Sequence, residues 1–240
     1  MSAGSERPWP VVDMPTLSKN LVQIAGVIDE VEAAMLQECG VRYLGFPLRL
    51  AVHDEDLSED RASQIIRRLR PPVFGVLITY LKEAREIAEF CVSMGARIVQ
   101  LHGDIQTDEV ARLRELSPEL LIIKSLVIGL HSESALQSMI DDYSCHVDAF
   151  ITDSYDPDTG ASGATGRTHD WRISRRLVEM SRRPVILAGG LNPENVRRAI
   201  VEVKPFGVDS HTGVEDDSGR KCREKVENFL AEARLGFHLM

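Results

Sequence analysis

An alternation of strand and helix patterns, repeated eight times, limits the folds open to this chain. Short apolar runs are followed by longer amphipathic stretches from residue 21 onward. The predicted strands are 21–26, 43–48, 73–79, 97–103, 120–126, 148–153, 184–190 and 205–210. Such alternation is typical of a parallel sheet with helical crossovers. Eight units in 240 residues predict an α/β fold, a (β/α)8 TIM barrel in a single domain.

The ends of several helices carry capping signals. The segment "DEVEAAMLQECG" begins at an acidic residue, Asp29, and ends at Gly40, and a second helical segment ends at Gly95. For the segment "NPENVRRAIVEV" we predict Asn192 as the N-cap and Pro193 at the first helical position. Because the alternation of strands and helices begins at residue 21, we predict a barrel over residues 21–235 and an N-terminal extension over residues 1–20.

Charge and composition exclude several classes of partner. The net charge is −9 and the pI about 5.3, so we expect neither a nucleic acid nor an anionic membrane as partner. The four cysteines are far apart and lack metal-binding spacing, which favours reduced thiols in a cytoplasmic protein. The sequence carries neither an apolar run of membrane-spanning length nor a secretory signal. A monomer and a homodimer both fit.

Polar residues follow several predicted strands at the end where barrels carry their active sites. The first strand is an exception, because it ends at Ala25, whose side chain is only a methyl group. In chain order the others are Arg49 and His53, His102, Lys124, Asp153, and Asp209. Ionisable groups at neighbouring strand ends predict a site at this end of the barrel.

Glycines cluster in three loops that follow the later predicted strands. The loop "DTGASGATGRTHDW" holds Gly163 and Gly166, and "LAGGLNPENV" places Gly189 and Gly190 directly before a helix. After the last strand, "GVDSHTGVE" contains Thr212 and Gly213. Exposed backbone N–H groups and helix ends favour bound phosphate, and this end of TIM barrels often holds one. Alternatively, Gly189 and Gly190 serve only to form a tight turn between strand and helix, without binding phosphate.

Five segments together resemble the phosphoribosylanthranilate isomerase family. They are "IVQLHGD" (98–104), "FITDS" (150–154), "GATGRTHDW" (163–171), "LAGGLNPENV" (187–196) and "GVDSHTGVE" (207–215). The resemblance covers about residues 21–230. It implies a TIM barrel and the Amadori rearrangement of phosphoribosylanthranilate to an aminoketose phosphate in tryptophan biosynthesis. That reaction requires no cofactor and no metal.

The resemblance also implies roles for individual residues. Asp153 matches the general acid that opens the ribose ring, and His102 and Asp209 match positions near the substrate. The phosphate-binding loops match at Gly166, Gly189, Gly190 and Gly213. Arg49 approximately matches an arginine that meets the anthranilate carboxylate.

The chain departs from the family pattern at the first strand. The family has a general-base cysteine where this chain has Ala25, and a lysine two residues earlier where it has Gln23. Where the family has a pair of serines, this chain has His211 and Thr212, and where the family has a phenylalanine it has His169. Since a histidine titrates near neutral pH, His211 or His53 is a candidate substitute base.

A metal site formed by histidines and aspartates is an alternative that ligand type alone would allow. Its members would be His53, Asp54, Asp56, His102 and His211. The spacing does not require a metal, so we expect neither a metal nor a cofactor.

Three functional hypotheses follow, and they leave the enzymatic status open. The main one is an isomerase-like protein that binds a phosphorylated sugar-type ligand, with altered substrate or chemistry because the cysteine is absent. The alternatives are a genuine phosphoribosylanthranilate isomerase with a substitute base, and a non-catalytic protein that binds a phosphorylated ligand. Retention of Asp153 favours catalysis, since a binding protein has no need for a general acid.

Overall fold

The computed structural model describes residues 15–50, 57–155 and 168–240, and over these residues eight parallel strands close a barrel in sequence order. The strands are β1 (Leu21–Ala25), β2 (Tyr43–Pro47), β3 (Phe74–Thr79), β4 (Ile98–Leu101), β5 (Leu121–Ile128), β6 (Ala149–Ser154), β7 (Val185–Leu187) and β8 (Gly207–Ser210). Pairing of β1 with β8 completes the closure. The predicted TIM barrel is confirmed.

Helices follow the strands and cover the outside of the barrel. Within the described segments they are α1 (Glu30–Cys39), α2 (Glu59–Arg68), α3 (Ala84–Met94), α4 (Thr107–Leu116), α5 (Glu133–Tyr143), α6 (Trp171–Met180), α7 (Val196–Val203) and α8 (Arg223–His238). A short 3₁₀ helix, Thr212–Val214, lies between β8 and α8. None of the helices in these segments is both long and apolar enough to span a membrane.

Two apolar cores explain why the strand sequences do not alternate strictly between apolar and polar residues. One core fills the barrel and includes Ala25, Ile78, Ile123, Ile151 and Ala188. The other lies between the strands and the helices, and it is much larger. Because successive strand residues point to opposite faces and both faces are covered, both sets are apolar.

The segment before β1 closes the end of the barrel opposite the strand C-termini. Leu17 packs against the interior core. The Tyr43 hydroxyl donates to the Thr16 carbonyl at 2.8 Å, and the Asn20 N–H donates to the Phe206 carbonyl at 2.9 Å. Residues 15–20 therefore contact the barrel, while residues 1–14 of the predicted extension lie outside the described part of the chain. The last helix reaches His238, beyond the predicted boundary at residue 235.

Helix ends follow the predicted signals in α1 and α3 but not in α7. Asp29 caps α1 by accepting from the Glu32 N–H, as its acidic start predicts. The prediction of Asn192 as the N-cap of α7 is wrong, because α7 begins at Val196 with Asn195 at its N-cap. Asn192 Oδ1 instead accepts from the N–H groups of Glu194 and Asn195, and stabilises a turn ahead of the helix.

Candidate active site

The carboxyl ends of the parallel strands meet at one end of the barrel, and several predicted site residues lie there. Asp153 belongs to β6 and Asp209 to β8, while His102 directly follows β4. His102 Nε2 lies 3.9 Å from Asp153 Oδ2. Three polar residues that are widely separated in sequence are therefore brought to one mouth, the known location of active sites in this fold.

Asp153 is a carboxyl group placed in an environment that disfavours its charge. Its side chain is 13% exposed, and its Oδ1 accepts from the Ser154 N–H at 2.8 Å. Burial raises the pKa of Asp153 to about 7, and the backbone hydrogen bond from Ser154 offsets this only in part. A carboxylic acid with such a pKa retains its proton near neutrality, which suits a general acid.

His102 is held in a defined orientation beside Asp153. Its Nδ1 lies 2.8 Å from the Ser125 hydroxyl, and its backbone N–H donates to the Thr79 carbonyl at 2.9 Å. The edge of the Tyr80 ring packs against the imidazole, with ring centroids 4.9 Å apart. These contacts direct Nε2 toward the carboxyl group.

Asp209 is a second buried carboxyl group at the mouth. Burial, followed by repulsion from Asp153, raises the pKa of Asp209 to about 7, while a hydrogen bond from Gln23 lowers it. Asp209 Oδ1 and Gln23 Oε1 are buried and lack a hydrogen-bond partner within the described chain. Gln23 Nε2 also donates to Gln100 Oε1 at 3.0 Å. Gln23 is fully buried below the mouth, so of the two acceptors only the Asp209 oxygen, at the strand end, is placed near a bound ligand.

Ala25 and His211 are adjacent at the mouth. The last paired residues of β1 and β8 are Ile24 and Ser210; Ala25 is the next residue of β1, and His211 is the first residue after β8. The imidazole packs onto the backbone that follows Ala25: a Cβ atom placed on Gly26 would lie 2.0 Å from His211 Nε2. An imidazole therefore lies beside the strand end that carries only a methyl group.

His211 contacts a carboxylate that the sequence analysis did not identify. Its Nε2 lies 3.4 Å from Glu215 Oε1, and the Glu215 side chain is 17% exposed. The spacing of four residues within "HTGVE" was the available signal. Ser125, the partner of His102, was also missed, because its neighbour across the barrel wall becomes known only once the strands are in register.

The glycine loops after β7 and β8 pack closely enough to exclude side chains. Gly189 has a φ of +96°, and a Cβ atom there would lie 2.3 Å from the Ser154 hydroxyl oxygen. A Cβ atom on Gly213 would lie 1.9 Å from the Leu191 carbonyl oxygen. Gly190 follows Gly189, and Thr212 begins the 3₁₀ helix. These members of the predicted phosphate site thus lie at adjacent strand ends, whereas Gly163 and Gly166 lie outside the described residues.

Arg49 lies at the end of β2 but is directed toward the helices. Its Nε lies 2.8 Å from Glu59 Oε1, and its Nη1 lies 3.2 Å from Glu86 Oε1. The guanidinium carbon lies 3.8 Å from the centroid of the Phe90 ring. These contacts are made with α2 and α3 rather than with the carboxyl groups of the mouth. His53, the other predicted residue of this loop, lies outside the described part of the chain.

Lys124 also faces away from the barrel interior. It alternates with the inward-facing residues Ile123 and Ser125, and its Nζ donates to the carbonyls of Ser125 and Gly103 at 3.0 and 3.1 Å. Burial lowers the pKa of Lys124 to about 8. The lysine holds the loop after β4 and does not join the group at the mouth.

His169, another departure from the family pattern, bridges two serines behind β6. Its Nδ1 lies 2.9 Å from the Ser154 hydroxyl and its Nε2 lies 2.6 Å from the Ser174 hydroxyl. Burial lowers the pKa of His169 to about 4, so it is neutral at physiological pH. The bridge ties the end of β6 to α6, next to the position of Asp153.

Among the described residues, no group of three or more histidine, cysteine, aspartate or glutamate side chains could hold a metal ion. Three of the residues considered as ligands, His53, Asp54 and Asp56, fall outside that part of the chain.

The family that matches this chain and a relative from Methanosarcina mazei share one description. The family of N-(5'-phosphoribosyl)anthranilate isomerases matches residues 22–232. A relative from Methanosarcina mazei, N-(5'-phosphoribosyl)anthranilate isomerase 2, is 38% identical over 221 residues, which cover 90% of this chain and 95% of that protein. The chain thus spans almost the full length of this relative.

Solved structures give the same result. Phosphoribosylanthranilate isomerase from Thermotoga maritima is 29% identical and superimposes with a TM-score of 0.76, covering 90% of this chain and 98% of that one. Another phosphoribosylanthranilate isomerase structure, in complex with reduced 1-(o-carboxyphenylamino)-1-deoxyribulose 5-phosphate, has 26% identity and a TM-score of 0.73 over the same shares. This chain therefore belongs to the N-(5'-phosphoribosyl)anthranilate isomerase family.

Proposed function

We propose that this chain is a genuine phosphoribosylanthranilate isomerase in which His211 replaces the cysteine base. The observation that carries the proposal is the position of His211 beside Ala25, since that is where the resemblance places the missing thiol. Relatives at 30–38% identity are named as isomerases, and this favours the genuine activity over altered chemistry. Asp153 at the same mouth supplies the candidate acid.

In the proposed first step, Asp153 donates its proton to the ribose ring oxygen. The C1–O bond breaks as the nitrogen lone pair forms a C1=N bond, which gives an open-chain protonated Schiff base. The raised pKa of Asp153 supports this role, because the carboxyl group remains protonated at a pH where an exposed aspartate would be ionised. His102, 3.9 Å from Asp153, is placed to interact with the carboxylate that forms.

In the proposed second step, His211 removes the proton from sugar C2. The C–H electron pair forms a C1=C2 bond and the C=N pair returns to nitrogen, which gives an enolamine. Tautomerisation of the enolamine, with protonation at C1 and loss of the C2 hydroxyl proton, yields the aminoketose. With its proton on Nε2, facing Glu215, the imidazole has Nδ1 as its basic nitrogen.

The substrate phosphate is assigned to the loops after β6, β7 and β8. The position of Gly189 and Gly213 in loops at adjacent strand ends supports this assignment, because glycine loops and helix ends commonly present N–H groups to an anion. Gly190 and Thr212 adjoin them, and Gly163 and Gly166 complete the set from the sequence. A relative bound to a deoxyribulose 5-phosphate derivative supports a phosphorylated ligand here.

A changed substrate is the second candidate, and one observation favours it. Gln23 stands where the family has a lysine, so Asp209 is buried beside a neutral amide. If the mouth accepts a different phosphorylated sugar, Asp153 and His211 would retain their roles.

The test is turnover of phosphoribosylanthranilate by the purified chain, followed by loss of substrate fluorescence. We expect turnover in the parent protein and a loss of about 100-fold or more in Asp153→Asn. His238→Ala, which changes an exposed histidine on α8, is the control and should retain the parent rate. Binding of a substrate analogue without any turnover would contradict the proposal and favour the changed-substrate candidate.

A further inference from the structure

A buried ion pair lies directly behind His211. Lys221 Nζ lies 2.6 Å from Glu215 Oε1, and the Lys221 side chain is fully buried. Backbone pairing of Glu215 with Lys221, together with the hydrogen bond from the Cys222 N–H to the Val214 carbonyl, brings the two residues together. Burial of a charged lysine requires a close partner, and Glu215 provides it.

The ion pair is anchored to the loop that follows Ala25. The Lys221 N–H donates to Glu32 Oε1 at 2.7 Å, and Glu32 Oε2 accepts from the Ile28 N–H at 3.0 Å. Arg220 adds an ion pair with Asp29 at 2.7 Å. The segment carrying Lys221 is therefore fixed against the start of α1, close to where His211 packs on the β1 end.

Glu215 Oε1 is shared between two cationic or potentially cationic groups. It lies 2.6 Å from Lys221 Nζ and 3.4 Å from His211 Nε2. The carboxylate favours the imidazole tautomer with the proton on Nε2 and limits rotation of the ring. The lysine charge offsets part of the carboxylate charge that acts on the imidazole.

We propose that Glu215 and Lys221 are positioning residues that together orient His211 and keep it neutral, and hence basic, near neutral pH. The proposal rests on the proposed function, in which His211 is the base. Glu215 and Lys221 would act through His211, which lies between them and the Ala25 end of β1.

Among the described residues, the Lys221 charge also acts on Asp209, whose pKa it lowers, while three further charged groups near the pair have other partners. Glu32 accepts from two backbone N–H groups, and Arg220 pairs with Asp29. Lys225 contacts the same glutamate, but its Nζ donates to the Glu215 backbone carbonyl at 2.5 Å rather than to the carboxylate. Lys225 therefore offers a matched control for Lys221.

The experiment measures the titration of His211 by NMR in the full-length protein without substrate, together with kcat and KM. Lys221→Met should raise the pKa of His211, because the carboxylate then acts on the imidazole without an opposing charge. Glu215→Gln should lower it, because only the lysine charge remains. Lys225→Met should leave both the titration and the kinetics unchanged.

The kinetic expectation separates positioning from folding. Glu215→Gln should lower kcat about tenfold or more while KM stays within about threefold, since the base but not the binding surface is disturbed. If Lys221→Met fails to fold, the double variant Glu215→Gln/Lys221→Met removes both partners and should recover the fold. It too should then show the reduced kcat.

Two outcomes overturn the inference. One is an identical His211 titration in the parent, Lys221→Met and Glu215→Gln proteins. The other is an unchanged kcat in Glu215→Gln while His211→Ala is inactive. That result would refute the positioning role of Glu215 and Lys221 but would not contradict the proposed function. Full turnover by His211→Ala would refute the proposed function, whereas shifted titrations would still show the electrostatic coupling.

Discussion

His211, the first residue after β8, lies beside the end of β1 at Ala25, and its imidazole packs onto the Gly26 backbone. The strand end that lacks a reactive side chain is thus next to one that carries a base. Loss of a catalytic residue from one strand can be compensated from its neighbour in a barrel, because the C-terminal ends of adjacent strands are only about 5 Å apart.

The pH dependence of kcat/KM should be bell-shaped. Activity requires neutral His211, whose protonation gives the acidic limb, and protonated Asp153, whose ionisation gives the basic limb near pH 7. Because Asp153 and Asp209 repel each other, the apparent pKa of the basic limb describes the titration of both carboxyl groups together. Asp209→Asn should move it to lower pH, as a pH–rate profile would show. A basic limb unmoved by this change would contradict the coupling.

The contribution of Asp153 and Asp209 to stability should fall as the pH rises from about 4 to 7, and it opposes the gain from His169, whose folded pKa is lowered to about 4. The folded pKa values of Asp153 and Asp209 are raised from 3.8 to about 7, so the native state binds more protons than the unfolded state in this window. Above pH 7 the loss is complete. Asp153→Asn removes a buried charge and should stabilise the chain at pH 8 by about 1–3 kcal/mol.

The measurement is urea denaturation of the parent and Asp153→Asn proteins at pH 4 and pH 8. The stabilising effect should be present at pH 8 and small at pH 4, where the carboxyl group is neutral in the native state. Asp141→Asn, on the exposed face of α5, is the control. An equal effect of Asp153→Asn at both pH values would show that charge is not the cause.

Replacement of His169 by phenylalanine, the residue typical of the family, should destabilise this chain. The hydroxyls of Ser154 and Ser174 are buried and both contact the imidazole. Leaving them without this partner should cost about 1–3 kcal/mol, measured as a shift of the urea midpoint at pH 7. Adding Ser154→Ala and Ser174→Ala should restore part of the loss. Equal stability of parent and His169→Phe proteins would show that the bridge contributes nothing.

Arg49→Gln tests whether this arginine binds substrate. Its contacts with Glu59 and Glu86 are partly exposed, so their loss should lower stability by no more than about 1 kcal/mol. Since its guanidinium is directed toward α2 and α3, KM should change by less than about threefold. A rise in KM of tenfold or more would instead establish Arg49 as a substrate ligand, as the sequence resemblance implies.

The strand and helix pattern was sufficient to predict the barrel, because period and length reflect local chemistry. Boundaries were less accurate where strands turn into site loops: β7 was predicted over 184–190 and spans Val185–Leu187. The strand ends early because Gly189 and Gly190 have positive φ values, which a strand does not adopt. The apolar residues just before them made the predicted strand too long.

The site was only partly accessible from the sequence. Strand-end positions identified Asp153, His102 and Asp209, because fold geometry alone brings such residues together. The four-residue spacing of His211 and Glu215 allows a contact, and the path of the loop after β8 establishes it. Lys124 illustrates a signal that was available, since alternation with Ile123 and Ser125 directs it away from the interior.

The central claim is that His211 performs the task of the missing thiol, and a four-protein comparison of kcat/KM with phosphoribosylanthranilate tests it most directly. The proteins are the parent chain, His211→Ala, Ala25→Cys, and the double variant Ala25→Cys/His211→Ala. We predict that His211→Ala loses about 100-fold or more, and that the double variant recovers at least tenfold of that loss because a thiol returns to the β1 end. Turnover by His211→Ala at the parent rate would contradict the claim.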